Sequence, residues 1–179
     1  MKALKNLGYA LVLVVLALAL VGLYLPSSVG IERRLTIAAE PGTLFPLLTG
    51  AQALARWSPW LPAGPGLRRT FDGPASGVGS SPRCAGGTVP MVFGSYEITE
   101  IDAERQVGLR LQLSVLGKVH STLELYPATA PGSTDVAWRL YDDVGFNLPR
   151  RLLWLAAEPA LGPQLERGLD NLRALAGHR

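Results

Sequence analysis

The sequence predicts an α+β domain in which a curved antiparallel sheet wraps around one long C-terminal helix. Three observations support this prediction. Short segments that alternate apolar and polar residues follow one another between turns from Ile31 to Tyr141. Apolar residues recur at helical spacing between Asn147 and Ala176, the only long amphipathic segment of the sequence. A sheet with one apolar face needs a cover, and this helix is the one available.

The C-terminal segment carries helix signals at its start and along its length. Asn147 is a good N-cap, and Pro149 falls in the first turn, where its missing N–H costs nothing. Arg151 and the other charged residues lie mostly off the apolar stripe. Pro159 and Pro163 are expected to bend or break the helix near its middle. The apolar stripe comprises Leu148, Leu152, Leu155, Leu161, Leu165, Leu169, Leu172 and Ala176.

The chain before this helix is predicted to form a strand, two short helices and about six further strands. The first strand is Ile31 to Ala38. The short helices begin at Glu40 and Ala51, and Pro46 should distort the first of them. Adjacent short strands of this kind predict an antiparallel meander with one solvated face. The six later strands are predicted at Leu67–Phe71, Gly77–Arg83, Val92–Ile101, Val107–Leu113, Val119–Tyr126 and Asp135–Tyr141.

Residues 1–26 are predicted to be a transmembrane anchor, followed by a linker at 27–30 and the folded domain at 31–179. Leu7 to Leu25 contains no charged or strongly polar side chain, and 19 residues of helix would reach about 28 Å, close to the hydrocarbon thickness of a bilayer. A cleaved signal peptide is the rival interpretation, but its apolar core normally has about 7–15 residues. A buried core helix is disfavoured by the uniformly apolar composition. The length favours an uncleaved, single-pass anchor.

The charges that flank this segment predict its orientation by a narrow margin. Lys2, Lys5 and the terminal amine slightly outweigh Arg33 and Arg34, which Glu32 partly offsets. The positive-inside rule then places the N-terminus in the cytoplasm and the domain outside, in the periplasm if the source is a bacterium. A domain on the cytoplasmic face remains the alternative.

Composition argues against several function classes. The net charge is +3, and the basic residues are scattered rather than clustered with aromatics, so nucleic-acid binding has little support. One cysteine, Cys84, excludes an intrachain disulfide. No His, Cys, Asp and Glu residues occur at metal-ligand spacing, so neither a metal nor another cofactor is expected. Nothing in the sequence indicates an oligomeric state.

The sequence offers little for catalysis. No motif marks a serine nucleophile, and a lone cysteine such as Cys84 is usually a small buried hydrophobe. His120 falls on the predicted solvated face of its strand. Asp142 and Asp143 are adjacent, so they should point to opposite faces at a solvated strand end. Arg150 or its neighbour Arg151 has two interpretations, contact with an acidic ligand headgroup or simple exposure to water, and the second is commoner.

Several motifs, in the order given above, resemble one protein family. They are Trp57-Ser58-Pro59-Trp60, Gly77-Val78-Gly79, Gly94-Ser95-Tyr96-Glu97-Ile98, Val136-Ala137-Trp138 and Leu161-Gly162-Pro163 with Glu166-Arg167-Gly168-Leu169 and Leu172. From Ile31 to Leu175 the chain resembles the START-like superfamily, also called SRPBCC, and within it the polyketide cyclase/dehydrase and lipid-transport family. An N-terminal anchor is familiar among such proteins. Two departures concern the pocket lining and rim: Cys84 stands where relatives often carry Trp, and the Pro59–Gly66 loop is unusually rich in Pro and Gly.

The resemblance implies a helix-grip fold with an apolar cavity between sheet and helix. Within that fold, Trp57 and Trp60 either pack in the core or place one ring at the cavity mouth. The preferred hypothesis is non-catalytic binding of a hydrophobic small molecule or lipid. The alternatives are a cyclase or dehydratase-like enzyme that uses Tyr96, and an interaction module whose pocket is filled by tryptophans, including Trp138 and Trp154. Strand parity predicts that the wall comprises Tyr96, Ile98, Leu109, Leu111, Leu113, Leu123, Trp138 and Leu140, faced by Leu148, Leu152 and Leu155 of the helix.

Overall fold

The structure is a computed structural model that describes residues 28–64, 66–86, 95–113 and 116–177, together with Asn6, Tyr9 and Leu13. Within these residues no helix is both long enough and apolar enough to cross a bilayer. The segment from Leu7 to Leu25 lies outside them apart from Tyr9 and Leu13. The transmembrane anchor therefore stays a prediction.

The described residues form one antiparallel sheet and three helices, as the sequence predicts. The sheet has seven strands in the order β1-β7-β6-β5-β4-β3-β2, so the first strand pairs with the last and the others form a meander. In chain order the elements are β1 (Ser28–Ile37), α1 (Pro41–Thr49), α2 (Ala51–Trp57), β2 (Leu67–Asp72), β3 (Ser81–Gly86), β4 (Ser95–Asp102), β5 (Gln106–Leu113), β6 (Gly117–Pro127), β7 (Thr134–Asp143) and α3 (Leu148–Ala176).

Most strand ends lie within one or two residues of the prediction, and the starts of β1 and β3 differ more. β1 begins at Ser28, which pairs with Asp143 of β7, so most of the predicted linker belongs to the sheet. β3 begins at Ser81 rather than at Gly77, because Gly77 and Gly79 have φ values of 93° and 86°. That left-handed backbone suits a glycine turn and cannot continue a strand.

Helix α3 runs unbroken from Leu148 to Ala176, so Pro159 and Pro163 do not break it, whereas a bend stays a prediction. The Asn147 side chain caps it by accepting a hydrogen bond of 3.0 Å from the backbone N–H of Arg150. Pro159 and Pro163 cannot donate to the carbonyls of Leu155 and Pro159, four residues earlier. All three residues are exposed, so water can bond to the carbonyls that the prolines leave free.

Two glycines let α3 approach the sheet closely. At Gly168 an added Cβ would lie 2.3 Å from the Trp138 ring and 3.0 Å from Pro59. At Gly162 it would meet the guanidinium of Arg33, which also forms ion pairs with Glu158 and Glu166 on the helix. The helix therefore lies directly against the central tryptophan and across β1.

Candidate ligand-binding site

The strand residues predicted to line a cavity share one apolar core. All eight are buried, with exposed fractions of 4% or less. Burial alternates along β5 from Leu109 to Leu113, as expected for a strand with one face inward. The parity prediction is therefore correct for burial, whereas ligand contact by these residues remains a prediction. The eight residues are Tyr96, Ile98, Leu109, Leu111, Leu113, Leu123, Trp138 and Leu140.

An aromatic cluster occupies the middle of this core. The Trp138 ring contacts Trp57 and Trp60 edge-on, with centroid distances of 5.1 and 5.0 Å, and Tyr96 lies 6.2 Å from Trp60. All four residues are at most 1% exposed. The interpretation of Trp57 and Trp60 as core residues is thus confirmed for both, and neither lies at a cavity mouth.

Two of the three indole N–H groups in this cluster have a hydrogen-bond acceptor, and the third has none among the described residues. Trp57 Nε1 donates to the carbonyl of Leu47 at 2.9 Å, and Trp138 Nε1 donates to Ser121 Oγ at 2.9 Å. Among the described residues Trp60 Nε1 is buried and has no hydrogen-bond acceptor. A buried N–H without an acceptor costs about 1–3 kcal/mol. Within the aromatic cluster this N–H is therefore the donor that is available to a ligand, and Ser80 Oγ is a second buried polar atom without a partner among the described residues.

Ser58 explains why the Trp-Ser-Pro-Trp segment turns back into the core. Its hydroxyl is hydrogen-bonded to the Tyr96 hydroxyl and also accepts from the backbone N–H of Trp60. Asn171 of α3 donates to the carbonyl of Trp57 at 3.1 Å, which ties the same segment to the helix. Sequence reasoning missed both polar residues, because no periodicity marks a buried hydroxyl or amide.

Tyr96 is the one candidate for acid–base chemistry that the sequence suggested inside the cavity. Burial strongly raises the pKa of its hydroxyl, and the hydrogen bond with Ser58 offsets this only in part. The side chain is neutral at physiological pH and its hydroxyl is already bonded to another hydroxyl. This arrangement suits a structural contact better than a general base.

The first half of α3 presents different residues to the sheet from those predicted. Leu152 and Leu155 are 52% and 63% exposed, so their assignment to the cavity wall is wrong, and Leu148 is only half-buried. Arg151 and Trp154 are buried in their place, at 3% each. The predicted stripe is correct from Leu161 onwards, where Leu161 packs partly buried against the core, and it is wrong at Leu152 and Leu155, because the N-terminal turns are held mainly by polar contacts.

Asp142 is the centre of those polar contacts. Arg150 Nε donates to Asp142 Oδ2 at 2.6 Å, and Trp154 Nε1 donates to the same oxygen at 3.3 Å. Arg150 also donates to the carbonyls of Leu116 and Lys118 at the start of β6. Asp142 is 7% exposed, so the expected solvated strand end is wrong for this residue. We refer to Asp142, Arg150 and Trp154 as the Asp142 cluster.

Two other polar candidates stand where the sequence placed them. His120 is exposed on the outer face of β6 and stacks on Tyr141, with the centroids 5.5 Å apart. Cys84 is 9% exposed and its Sγ lies 3.7 Å from the carbonyl oxygen of Pro62, as a small buried side chain on β3. In the described part of the chain, no group of three His, Cys, Asp or Glu residues is arranged to hold a metal.

Open space formed by described residues lies on the outside of the domain. One depression of about 560 Å³ lies beside the β4–β5 turn and the end of β6, and another of about 470 Å³ lies between the start of α2 and the end of β2. Neither is lined by the aromatic cluster. At Gly168 the helix lies directly against Trp138 and Pro59, so a ligand at that position would have to separate them.

Comparison with known proteins identifies the class of fold and then the family. Norcoclaurine synthase from Thalictrum flavum, solved with dopamine and hydroxybenzaldehyde, is 17% identical and has a TM-score of 0.62, with 85% of this chain and 88% of that chain covered. A protein from Arthrobacter aurescens is 17% identical with a TM-score of 0.59, over 84% and 87% of the two chains. Ara h 8.0201 is 12% identical with a TM-score of 0.57, over 85% and 99%. These likenesses establish the helix-grip fold.

The family follows from the sequence itself. Residues 28–177 match the family described as polyketide cyclase / dehydrase and lipid transport, and the chain belongs to that family. This confirms the resemblance based on the Trp-Ser-Pro-Trp and related motifs. No curated protein matches the sequence.

Proposed function

We propose that this protein is a membrane-tethered helix-grip domain that binds a hydrophobic small molecule or lipid without transforming it. The apolar segment from Leu7 to Leu25 would hold the domain at the bilayer, from which apolar molecules partition. Its flanking charges favour a domain on the extracytoplasmic side. Membership of a family that includes lipid transport supports this proposal.

The observation that carries the proposal is the indole N–H of Trp60. It is buried, its ring packs against Trp138 and Tyr96, and it has no acceptor among the described residues. Buried donors in native proteins are nearly always bonded, so an exception calls for an explanation. A ligand with an apolar body and one acceptor oxygen, such as a ketone, ester or ether, would supply the missing bond.

Such a ligand would enter by displacing the first half of α3. The second half is fixed in the core by Leu165, Leu169 and Leu172, all at most 2% exposed. The first half is attached through the Asp142 cluster, while Leu152 and Leu155 point to solvent. Breaking these few polar contacts exposes less apolar surface than removing the second half would, so the first half is the easier part to move.

An interaction module is the second candidate, and one observation favours it. Trp138 packs edge-on against Trp57 and Trp60 in the core between α3 and the sheet, which is the arrangement expected if the pocket is vestigial. A cyclase or dehydratase-like enzyme has weaker support, because the hydroxyl of Tyr96 is committed to Ser58 and its raised pKa keeps it neutral.

Native mass spectrometry of the full chain in a mild detergent tests the proposal. We expect a hydrophobic adduct that is released on denaturation and recovered by organic extraction. Trp60→Phe is the matched variant, since it keeps an aromatic ring and removes only the N–H donor and part of the ring. It should weaken ligand retention roughly 2- to 12-fold, the equivalent of one hydrogen bond of about 0.5–1.5 kcal/mol. A wild-type chain that stays free of adduct after exposure to a total lipid extract would favour the interaction module instead.

A further inference from the structure

The outward face of the first half of α3 is apolar over four turns. Leu155, Leu152 and Leu153 are 63%, 52% and 37% exposed, and Phe146, just before the helix, is 84% exposed. The remaining exposed residues on this half are small or cyclic, apart from Glu158, which is paired with Arg33. We call this surface the α3 apolar face. It comprises Phe146, Pro149, Leu152, Leu153, Leu155, Ala156, Pro159, Ala160 and Pro163.

The second half of the same helix is quite different on its outward side. Its exposed residues include Glu166, Arg167, Asp170 and Arg173, and the last two form an ion pair of 2.8 Å. A helix on the surface of a domain normally places such charged residues outward along its whole length. The α3 apolar face therefore lacks the polar covering that the second half has, and contiguous exposed apolar surface marks an interaction site.

The pairing of β1 with β7 places the start of β1, where the chain enters the domain, beside the α3 apolar face. Ser28, the first residue of β1, pairs with Asp143, the last residue of β7. Phe146 follows Asp143 by three residues and precedes Asn147, the N-cap of α3. Two residues separate Ser28 from Leu25, the end of the apolar segment, so the segment ends at most about 11 Å of chain from the sheet. A segment that enters a bilayer there would hold the α3 apolar face at its surface.

We propose that the α3 apolar face lies on the lipid bilayer, with Phe146, Leu152 and Leu155 inserted at the boundary between headgroups and acyl chains. The proposal rests on the proposed membrane tether and adds an orientation for the domain. Helices that lie in this boundary carry large apolar side chains on one face and need no complementary protein. The face adjoins the half of α3 that is proposed to move for ligand uptake, so a ligand would pass from the bilayer into the domain without crossing water.

Site-specific quenching in vesicles tests this orientation with the full chain. Cys84→Ala removes the single cysteine, and circular dichroism checks that this background stays folded. Leu152→Cys and Leu155→Cys are then labelled with an environment-sensitive fluorophore. Arg167→Cys is the matched control on the charged half of α3. The labelled chains are reconstituted in phosphatidylcholine vesicles, with brominated acyl chains or with iodide as the quencher.

We expect brominated lipid to quench the labels at 152 and 155 at least five times more strongly than the label at 167, with the reverse order for iodide. If iodide quenches the labels at 152 and 155 as strongly as the label at 167 while the chain floats with the vesicles, the proposal is overturned and the tether stands. Protection from both quenchers would also overturn it, because protein rather than lipid would then cover the face. A chain that does not float with the vesicles would refute the tether and this orientation together.

Discussion

Replacing Gly168 with alanine should disturb the packing of α3 against the sheet and destabilise the protein. The added Cβ would lie 2.3 Å from one carbon of the Trp138 ring, 3.0 Å from a second and 3.0 Å from Cδ of Pro59. Real Cβ atoms do not approach other heavy atoms within 3.0 Å. Trp138 cannot turn aside, since it is fully buried, contacts Trp57 and Trp60 edge-on and donates to Ser121. The helix or the aromatic cluster must therefore shift.

The size of the effect follows from two opposing contributions. Overpacking a rigid core costs about 1–3 kcal/mol. Alanine favours a helix over glycine by about 1 kcal/mol. The difference is a loss of about 0–2 kcal/mol. Because the Cβ would lie only 2.3 Å from a ring that cannot move, Gly168→Ala should fall in the upper half of that range and lower the free energy of unfolding by about 1–2 kcal/mol. Urea denaturation of the full chain in a mild detergent, followed by tryptophan fluorescence and near-ultraviolet circular dichroism, measures this change.

Gly162 provides the matched control in the same helix. There the added Cβ meets the guanidinium of Arg33 at 2.5 Å, which is the far end of a flexible side chain. Arg33 can move and exchange its ion pairs with Glu158 and Glu166 for water, at a cost of about 0–1 kcal/mol per exposed pair. Gly162→Ala should therefore leave the free energy of unfolding within about 1 kcal/mol of wild type. Equal effects at both positions, or stabilisation at Gly168, would refute the packing of α3 against Trp138.

Three further predictions follow from individual residues. Asp142→Asn should lower the free energy of unfolding by about 2–3 kcal/mol. This is less than the loss expected for a fully buried ion pair, because Arg150 reaches water. Amide hydrogen exchange should rise mainly in the first half of α3. Because burial raises the pKa of Tyr96 above its unfolded value, stability should be independent of this group below about pH 10 and fall as the pH rises further. In Tyr96→Phe the free energy of unfolding should fall less steeply above that pH. Absorbance at 295 nm should show that the Tyr96 hydroxyl ionises only when the protein unfolds. Gly73→Ala should cost about 1–3 kcal/mol more than Gly132→Ala in thermal denaturation: both glycines have positive φ, but only the Cβ at Gly73 would meet a carbonyl, 2.2 Å away at Gly79.

Local patterns in the sequence determined the architecture. Alternation identified the strands of the meander, and helical spacing together with the Asn147 cap identified α3. These signals are readable because period 2 and period 3.6 arise from the backbone itself. Strand parity then assigned Tyr96 and Leu111 to the buried face, since each strand turns one side to the core. The Trp-Ser-Pro-Trp motif indicated the family, which the match over residues 28–177 establishes.

Only the tertiary structure decided what the first half of α3 faces. Periodicity ranked Leu152 and Leu155 above Arg151 for burial, but contacts between α3 and the end of β7 with the turn that follows it reversed that order. Arg151 donates to the carbonyl of Gly145, and Arg150 pairs with Asp142, which lies eight residues earlier at the end of β7. An arginine becomes a buried residue only when acceptors converge on it, and that convergence comes from the pairing of strands and the placing of the helix. The exposure of Leu152 and Leu155 has the same cause, because the orientation of α3 that buries Arg151 and Trp154 turns these two leucines to solvent.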